Sequence, residues 1–280
     1  MQTLNDLEVG VLLWAERDPL CEIADMGVRC GQLGIPGAMD LSPTEAEHWK
    51  AALAQQQFTV VTLMAAYEGE DYADIPTVEK TVGFVPPATR AAREERTYRV
   101  SDFAAVLGVP SVGCHVGFVP EDPSNPTYGE MRDLVRRICD HAAGHGQTFA
   151  LETGQEPAHV LHKFLQDVDR PNVGINFDPA NLILYGTGDP IEALGILGPH
   201  VLSVHCKDGD WPPAHIPGAL GKERPLGRGA VGMQRFVDQL RRVGFRGPLT
   251  VERETHDQEE RMLDIAMGVK LLKHLTGVPA

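Results

Sequence analysis

The chain has 280 residues, 42% hydrophobic and 23% charged, with a formal net charge of −14, a balance ordinary for a soluble globular protein of one large domain or two small ones. An acidic surface of that size repels phosphate backbones and argues against nucleic acid as a partner. No apolar run approaches the ~20 residues of a membrane span, the segment Met1 to Val9 lacks the basic and apolar regions of a signal peptide, and a cytoplasmic location is the expectation.

Strand-like runs recur from end to end. They begin near Val9 (VGVLLW), Cys30 (CGQLGI), Phe58 (FTVVTLM), Ser111 (SVGCHVGF), Thr148 (TFALE), Val173 (VGINFD), Val201 (VLSVH) and Pro248 (PLTVE). Amphipathic stretches separate them. Ser42-Pro43-Thr44-Glu45 opens one with an N-cap serine, a proline at N1 and a glutamate at N3. From Tyr128 to Gly144, Met131, Leu134, Val135, Ile138 and Cys139 fall at i, i+3, i+4, i+7 and i+8. Glu156 to Val168, Gly232 to Val243 and Gln258 to Leu275 repeat that spacing. Eight strands each followed by a helix predict a single-domain (β/α)8 TIM barrel spanning residues 1–280. A doubly wound sheet would carry a glycine-rich nucleotide loop after an early strand. Gly31-Gln32-Leu33-Gly34 has the wrong spacing and sits inside a predicted strand.

Two connections, Ala66 to Pro87 and Asp208 to Val231, are long enough to act as lids or binding segments, and both would lie on the C-terminal face of the barrel. The five cysteines, Cys21, Cys30, Cys114, Cys139 and Cys206, are scattered without a CxxC and read as reduced thiols.

Four apolar runs of the second half end on residues that can ligate a metal: Glu152, Asp178, His205 and Glu252, separated by 26, 27 and 47 residues. Buried parallel strands are almost wholly apolar, so an acid or imidazole at their ends needs a reason. Parallel neighbours lie about 4.8 Å apart, so four consecutive strand ends can surround one ion. Three carboxylates and one imidazole suit Mn²⁺, Mg²⁺, Co²⁺ or Zn²⁺. Glu152 and Glu252, from the outer strands of the quartet, should flank the ion as an acid/base pair, with Asp178 and His205 as holders. The imidazole is expected to donate its other N–H to a second acceptor. Cys206, next to His205, should point to the opposite face.

The runs LETGQE, NFDPANLILYGTGDP, SVHCKDGDW, PLGRGAV and GPLTVERE resemble the xylose isomerase-like TIM-barrel superfamily, the sugar phosphate isomerases and epimerases, from about His115 onward. The resemblance implies one divalent metal, most often Mn²⁺, on Glu152, Asp178, His205 and Glu252, with the two glutamates catalytic. It also implies a small carbohydrate-like substrate, and barrels of this kind frequently form homo-oligomers. His115, Asn181 and Lys207 are candidate substrate contacts; a helix cap is the competing account of Asn181. Trp14, Glu16 and Gln32 are expected at the same mouth, and the Gly227-Arg228-Gly229 turn is a candidate phosphate cradle. Two departures stand out. Ketose 3-epimerases of this family carry a histidine where this chain has Asn181, and an arginine soon after the strand-seven histidine, for which the nearest candidates here are Arg224 and Arg228.

The expected function is metal-dependent isomerisation or epimerisation of a small sugar, polyol or hydroxy-keto acid through an enediolate. The alternative is a dehydratase of the inosose or dehydroshikimate type, which shares the first proton abstraction. AP-endonuclease relatives are disfavoured, because the chain has no Asp-x-His or His-x-His to build a trinuclear zinc site.

Overall fold

In the computed structural model, which describes residues 7–277, every predicted apolar run forms a strand. These are β1 (Val9–Trp14), β2 (Cys30–Ile35), β3 (Thr59–Ala65), β4 (Ser111–Cys114), β5 (Thr148–Glu152), β6 (Val173–Phe177) and β7 (Val201–Cys206), then the short β8 (Asp208–Asp210) and β9 (Lys222–Arg224), and β10 (Leu249–Val251). All but β8 and β9 are parallel and close into a barrel in the order β1-β10-β7-β6-β5-β4-β3-β2. The expected (β/α)8 barrel is therefore present. The seam is Val9 opposite Leu249 and Val11 opposite Val251. Most residues of the barrel strands are buried on both faces, inside by the barrel core and outside by the helices.

The helices follow the sequence signals. The Ser42 hydroxyl accepts from the Glu45 amide at 3.3 Å and starts the helix Pro43–Gln55. Met131, Leu134, Val135, Ile138 and Cys139 form the buried stripe of Pro126–Gly144. All five cysteines are free, and Cys206 lies in the apolar core.

Four places depart from the simple repeat. Strand four stops at Cys114, which leaves His115 on the loop beyond it. The first long connection holds a helix, Ile75–Thr81, because Asp74 caps it (carboxylate to the Thr77 amide, 2.8 Å) and Pro76 occupies its first turn. After β6 the chain makes two helices, Pro179–Tyr185 and Pro190–Leu197. Gly186 ends the first in a left-handed conformation (φ +70°) that a side chain would resist, and Asp189 caps the second. In the second long connection β8 and β9 pair as an antiparallel hairpin. The Ile75 amide donates to the Gly218 carbonyl at 2.9 Å, so the two long connections touch over the mouth.

Candidate metal centre at the barrel mouth

Glu152 is the last residue of β5, Asp178 follows β6, His205 is the penultimate residue of β7 and Glu252 follows β10. Those four strands are consecutive neighbours in the closed sheet. All four side chains are buried, and one ligand atom from each lies within 4.8 Å of the others. Such a cluster can hold a metal ion. His205 Nδ1 sits at its focus, 3.1 Å from Glu152 Oε1, 3.0 Å from Glu252 Oε2 and 3.9 Å from Asp178 Oδ2.

Local structure sets each donor. Asp178 caps the helix Pro179–Tyr185: its Oδ1 accepts from the Ala180 and Asn181 amides at 2.7 and 3.0 Å. Its backbone is clamped by Thr153, whose hydroxyl accepts from the Asp178 amide and donates to its carbonyl, at 2.8 and 2.9 Å. With Oδ1 committed, Oδ2 faces the cluster and has no hydrogen-bond partner; the buried Glu252 Oε2 is also without a well-formed one. Two buried carboxylate oxygens left this way are costly unless a cation completes them. On the histidine, Nε2 donates to Gln32 Oε1 at 3.0 Å, which leaves Nδ1 facing the carboxylates. Gln32 is itself held, its amide donating to Asn176 Oδ1 at 2.9 Å, and the Ser203 hydroxyl donates to that same oxygen at 2.6 Å.

Electrostatics follow from this crowding. Burial pushes the Asp178 carboxyl well above the ordinary range, and Glu252 and Glu152 beside it add to the rise against the pull of Lys207. Burial alone would raise Glu252 as well, but His205 and Lys207 hold it well below the usual carboxylate range. Burial opposes charge on His205, yet Glu252 and Glu152 outweigh it and raise the imidazole well above its usual value. The same carboxylates that stabilise a proton there are placed to stabilise a cation.

The other expected site residues fall into two groups. His115 lies on the mouth, its Nε2 3.5 Å from Glu152 Oε2, while the Gln155 amide donates to its Nδ1 at 3.1 Å. Asn181 donates from Nδ2 to Glu152 Oε1 at 3.3 Å; the helix cap is Asp178, not Asn181. Lys207 is buried, with its ammonium 2.7 Å from Glu254, 3.5 Å from Glu252 and 3.8 Å from Asp178, so its charge is taken up by the protein's own acids. Trp14 lines the cavity, with Leu12, Met64, Glu70, Tyr72, His115, Glu152, His205, Glu252 and Glu254 around it.

Other expectations do not hold. Gln32 is no mouth residue but a buried support beneath His205, because β2 turns that side chain into the barrel. Glu16 is exposed and does not line the cavity. Arg224 is drawn away by Asp210 at 2.6 Å across the hairpin, and Arg228 is exposed; neither lines the cavity. The Gly227–Gly229 turn is not an open cradle: buried Asp208 accepts from the Gly227, Gly229 and Val231 amides at 3.0, 3.0 and 3.1 Å, supplying the anion itself. Sequence reasoning missed Glu254, Gln155, Asn176 and Tyr72. Glu254 was the most accessible of these, since alternation in VERE puts it on the side of Glu252.

The xylose isomerase-like TIM-barrel family profile matches residues 20–275. No curated protein matches the chain in sequence. Among solved structures, a xylose isomerase domain protein from Planctomyces limnophilus is 41% identical over 96% of this chain and 97% of its own, with a TM-score of 0.92. A D-tagatose 3-epimerase-like protein is 18% identical over 97% of this chain and 98% of its own, with a TM-score of 0.73. A xylose isomerase-like TIM-barrel protein from Mycobacterium smegmatis, in complex with magnesium, is 17% identical over 98% of both chains, with a TM-score of 0.70.

Proposed function

The chain belongs to the xylose isomerase-like TIM-barrel family, and from that premise we propose that it is a divalent-metal-dependent isomerase or epimerase of a small sugar or polyol. The observation that carries this reading is the convergence of Glu152, Asp178, His205 and Glu252 with two buried carboxylate oxygens left unsatisfied. The metal-bearing magnesium relative and the epimerase-like relative support it by analogy. Mn²⁺ or Mg²⁺ suits a set of three carboxylates and one imidazole. When bound, such an ion supplies Lewis-acid polarisation of a carbonyl and its neighbouring hydroxyl.

The chain's own residues divide the remaining work. Glu152 Oε1 is engaged by His205 and Asn181, so Oε2, beside His115, is the oxygen placed to exchange a proton with substrate. Glu252 is kept ionised by His205 and Lys207, as a base must be. One carboxylate then takes the proton from the substrate carbon beside the carbonyl, giving the enediolate, and the other, in its protonated form, returns a proton to the opposite face. His115, its ring oriented by Gln155, is placed to hold a substrate hydroxyl. Lys207 serves to keep Glu252, Glu254 and Asp178 in position, and Asn181 does the same for Glu152. Four carboxylates and two imidazoles line the cavity with no arginine or lysine among them, which favours an uncharged substrate over a sugar phosphate.

The test is incubation of Mn²⁺-loaded protein with a panel of ketoses and polyol-derived ketones in D₂O. Deuterium should appear at the carbon beside the carbonyl, and Glu152→Gln and Glu252→Gln should each slow its uptake by about 10²–10⁴-fold. No uptake across the panel with verified metal occupancy, or glutamine variants at the wild-type rate, would sink the reading. Loss of the β-hydroxyl as water, with an unsaturated product, would replace isomerisation by elimination.

A further inference from the structure

The helices Pro87–Leu107 and Pro126–Gly144 pack side by side on the outside of the barrel. Toward their C-terminal ends three side chains converge. His141 Nε2 and His145 Nε2 lie 2.8 and 2.9 Å from the same oxygen, Oδ1 of Asp102. The i, i+4 spacing places both imidazoles on one helical face, and one ligand atom from each of the three residues lies within 4.8 Å of the others. His141 is held in orientation: its ring stacks on Tyr98 at 4.6 Å and 24°. The Tyr98 hydroxyl donates to Glu94 at 2.6 Å, and Arg137, one turn before His141, grips Glu94 with two bonds of 2.7 and 2.9 Å. An acid in the last turns of a helix sits against the negative end of the macrodipole, as Asp102 does, and a cation beside it removes that penalty. All three side chains reach solvent, with 31% exposure at His141, 35% at His145 and 55% at Asp102.

We propose that Asp102, His141 and His145 form a second metal site, which takes a borderline divalent cation such as Zn²⁺ through two imidazole nitrogens and one carboxylate oxygen, with water completing a tetrahedral shell. Zinc bonds of about 2.0–2.2 Å place neighbouring ligand atoms about 3.3 Å apart. The present contacts need only open by about half an ångström, which exposed side chains accomplish by rotation. Each ring that now donates from Nε2 shifts its proton to Nδ1 on binding, so a neutral imidazole releases none and an imidazolium releases one. Two nitrogens and one oxygen prefer Zn²⁺ to Mg²⁺, whereas the oxygen-rich mouth accepts Mg²⁺ and Mn²⁺ as well. The site lies before β4 and β5, at the end of the barrel opposite the mouth, and so clips two helices together without touching the chemistry.

Calorimetric titration of chelator-stripped protein with Zn²⁺ tests this, with the histidine ring protons followed by NMR. The wild type should bind two equivalents, and the His141→Ala, His145→Ala double variant only one. The single variant His145→Gln, at an exposed position, should weaken the second event at least tenfold while its circular dichroism stays unchanged. Mg²⁺ should leave the His141 and His145 rings unshifted. Glu252→Gln should disturb the other equivalent alone, which separates failure of this site from failure of the mouth. Equal zinc stoichiometry and affinity in wild type and double variant, or rings that do not respond to Zn²⁺, would overturn the proposal.

Discussion

Among single residues, Gln32 shows how a support differs from a ligand. Its carbonyl oxygen accepts the Nε2 proton of His205 and so turns Nδ1 to the centre of the carboxylates. Partners of this kind typically contribute 10- to 100-fold to metal affinity. Gln32→Leu should keep the fold, since the side chain is fully enclosed and of similar size, yet weaken Mn²⁺ binding by about that factor. Competition with a chelator would measure it, and an unchanged affinity would show that the imidazole holds its orientation without this bond. Neither the strand pattern of CGQLGI nor its spacing distinguishes such a role from a place at the rim, because both lie on the inward side of β2.

At the level of elements, the closing seam between the first and last units depends on a buried ion pair. Arg261, on the helix Gln258–Thr276, meets Asp18 with Nε to Oδ1 at 2.9 Å and Nη2 to Oδ2 at 2.7 Å, and both side chains are fully enclosed. Asp18 also accepts from the Trp14 amide at 2.7 Å, tying the end of β1 to that helix. Burial works against the Asp18 charge, but Arg261 outweighs it and holds the carboxyl below its usual range. Breaking one half of a buried pair strands the other charge, at a cost of about 3–5 kcal/mol. Asp18→Asn should lower stability to urea by roughly that amount, while Asp18→Asn combined with Arg261→Met should recover much of the loss. A double variant no more stable than the single would mean that the pair contributes packing and not charge. The long connections belong to this scale too. Their length is plain in the sequence, but the Asp74-capped helix and the hairpin that turns Arg224 toward Asp210 depend on local caps and cross-strand pairing.

The whole molecule integrates such terms into a pH dependence. Glu156, beyond β5, is buried with Oε1 accepting from the Val119 amide at 2.7 Å and Oε2 without a partner. Burial pushes its carboxyl up to about 8. Between the ordinary carboxylate range and about 8 the folded protein holds a proton that the unfolded chain has released, so stability must fall as pH rises through that window. At about 1.4 kcal/mol per pKa unit, Glu156→Gln should gain on the wild type by a few kcal/mol between pH 5 and pH 8. Melting temperatures across that range decide it: parallel curves for the two proteins would place the carboxyl in a wetter setting than this fold gives it.

The barrel itself is legible in the sequence, because eight apolar runs at near-regular spacing with amphipathic segments between them leave few other ways to bury every face. The quartet was legible for a related reason: an acid or imidazole ending a buried strand stands out against its apolar neighbours, and chain order places consecutive parallel strands side by side. What the tertiary structure alone decided was where each polar atom finds its partner. It turned Gln32 from rim to support, gave the Asp178 cap its second, unsatisfied oxygen, enclosed Lys207 among three acids, and filled the Gly227–Gly229 turn with the Asp208 carboxylate. It also brought Asp102 to His141 and His145 across two helices. Apolar periodicity is a property of segments and can be read along one dimension. Hydrogen bonds and ion pairs join residues far apart in the chain, 173 positions for Gln32 and His205 and 243 for Asp18 and Arg261, and only the closed barrel sets which of them meet.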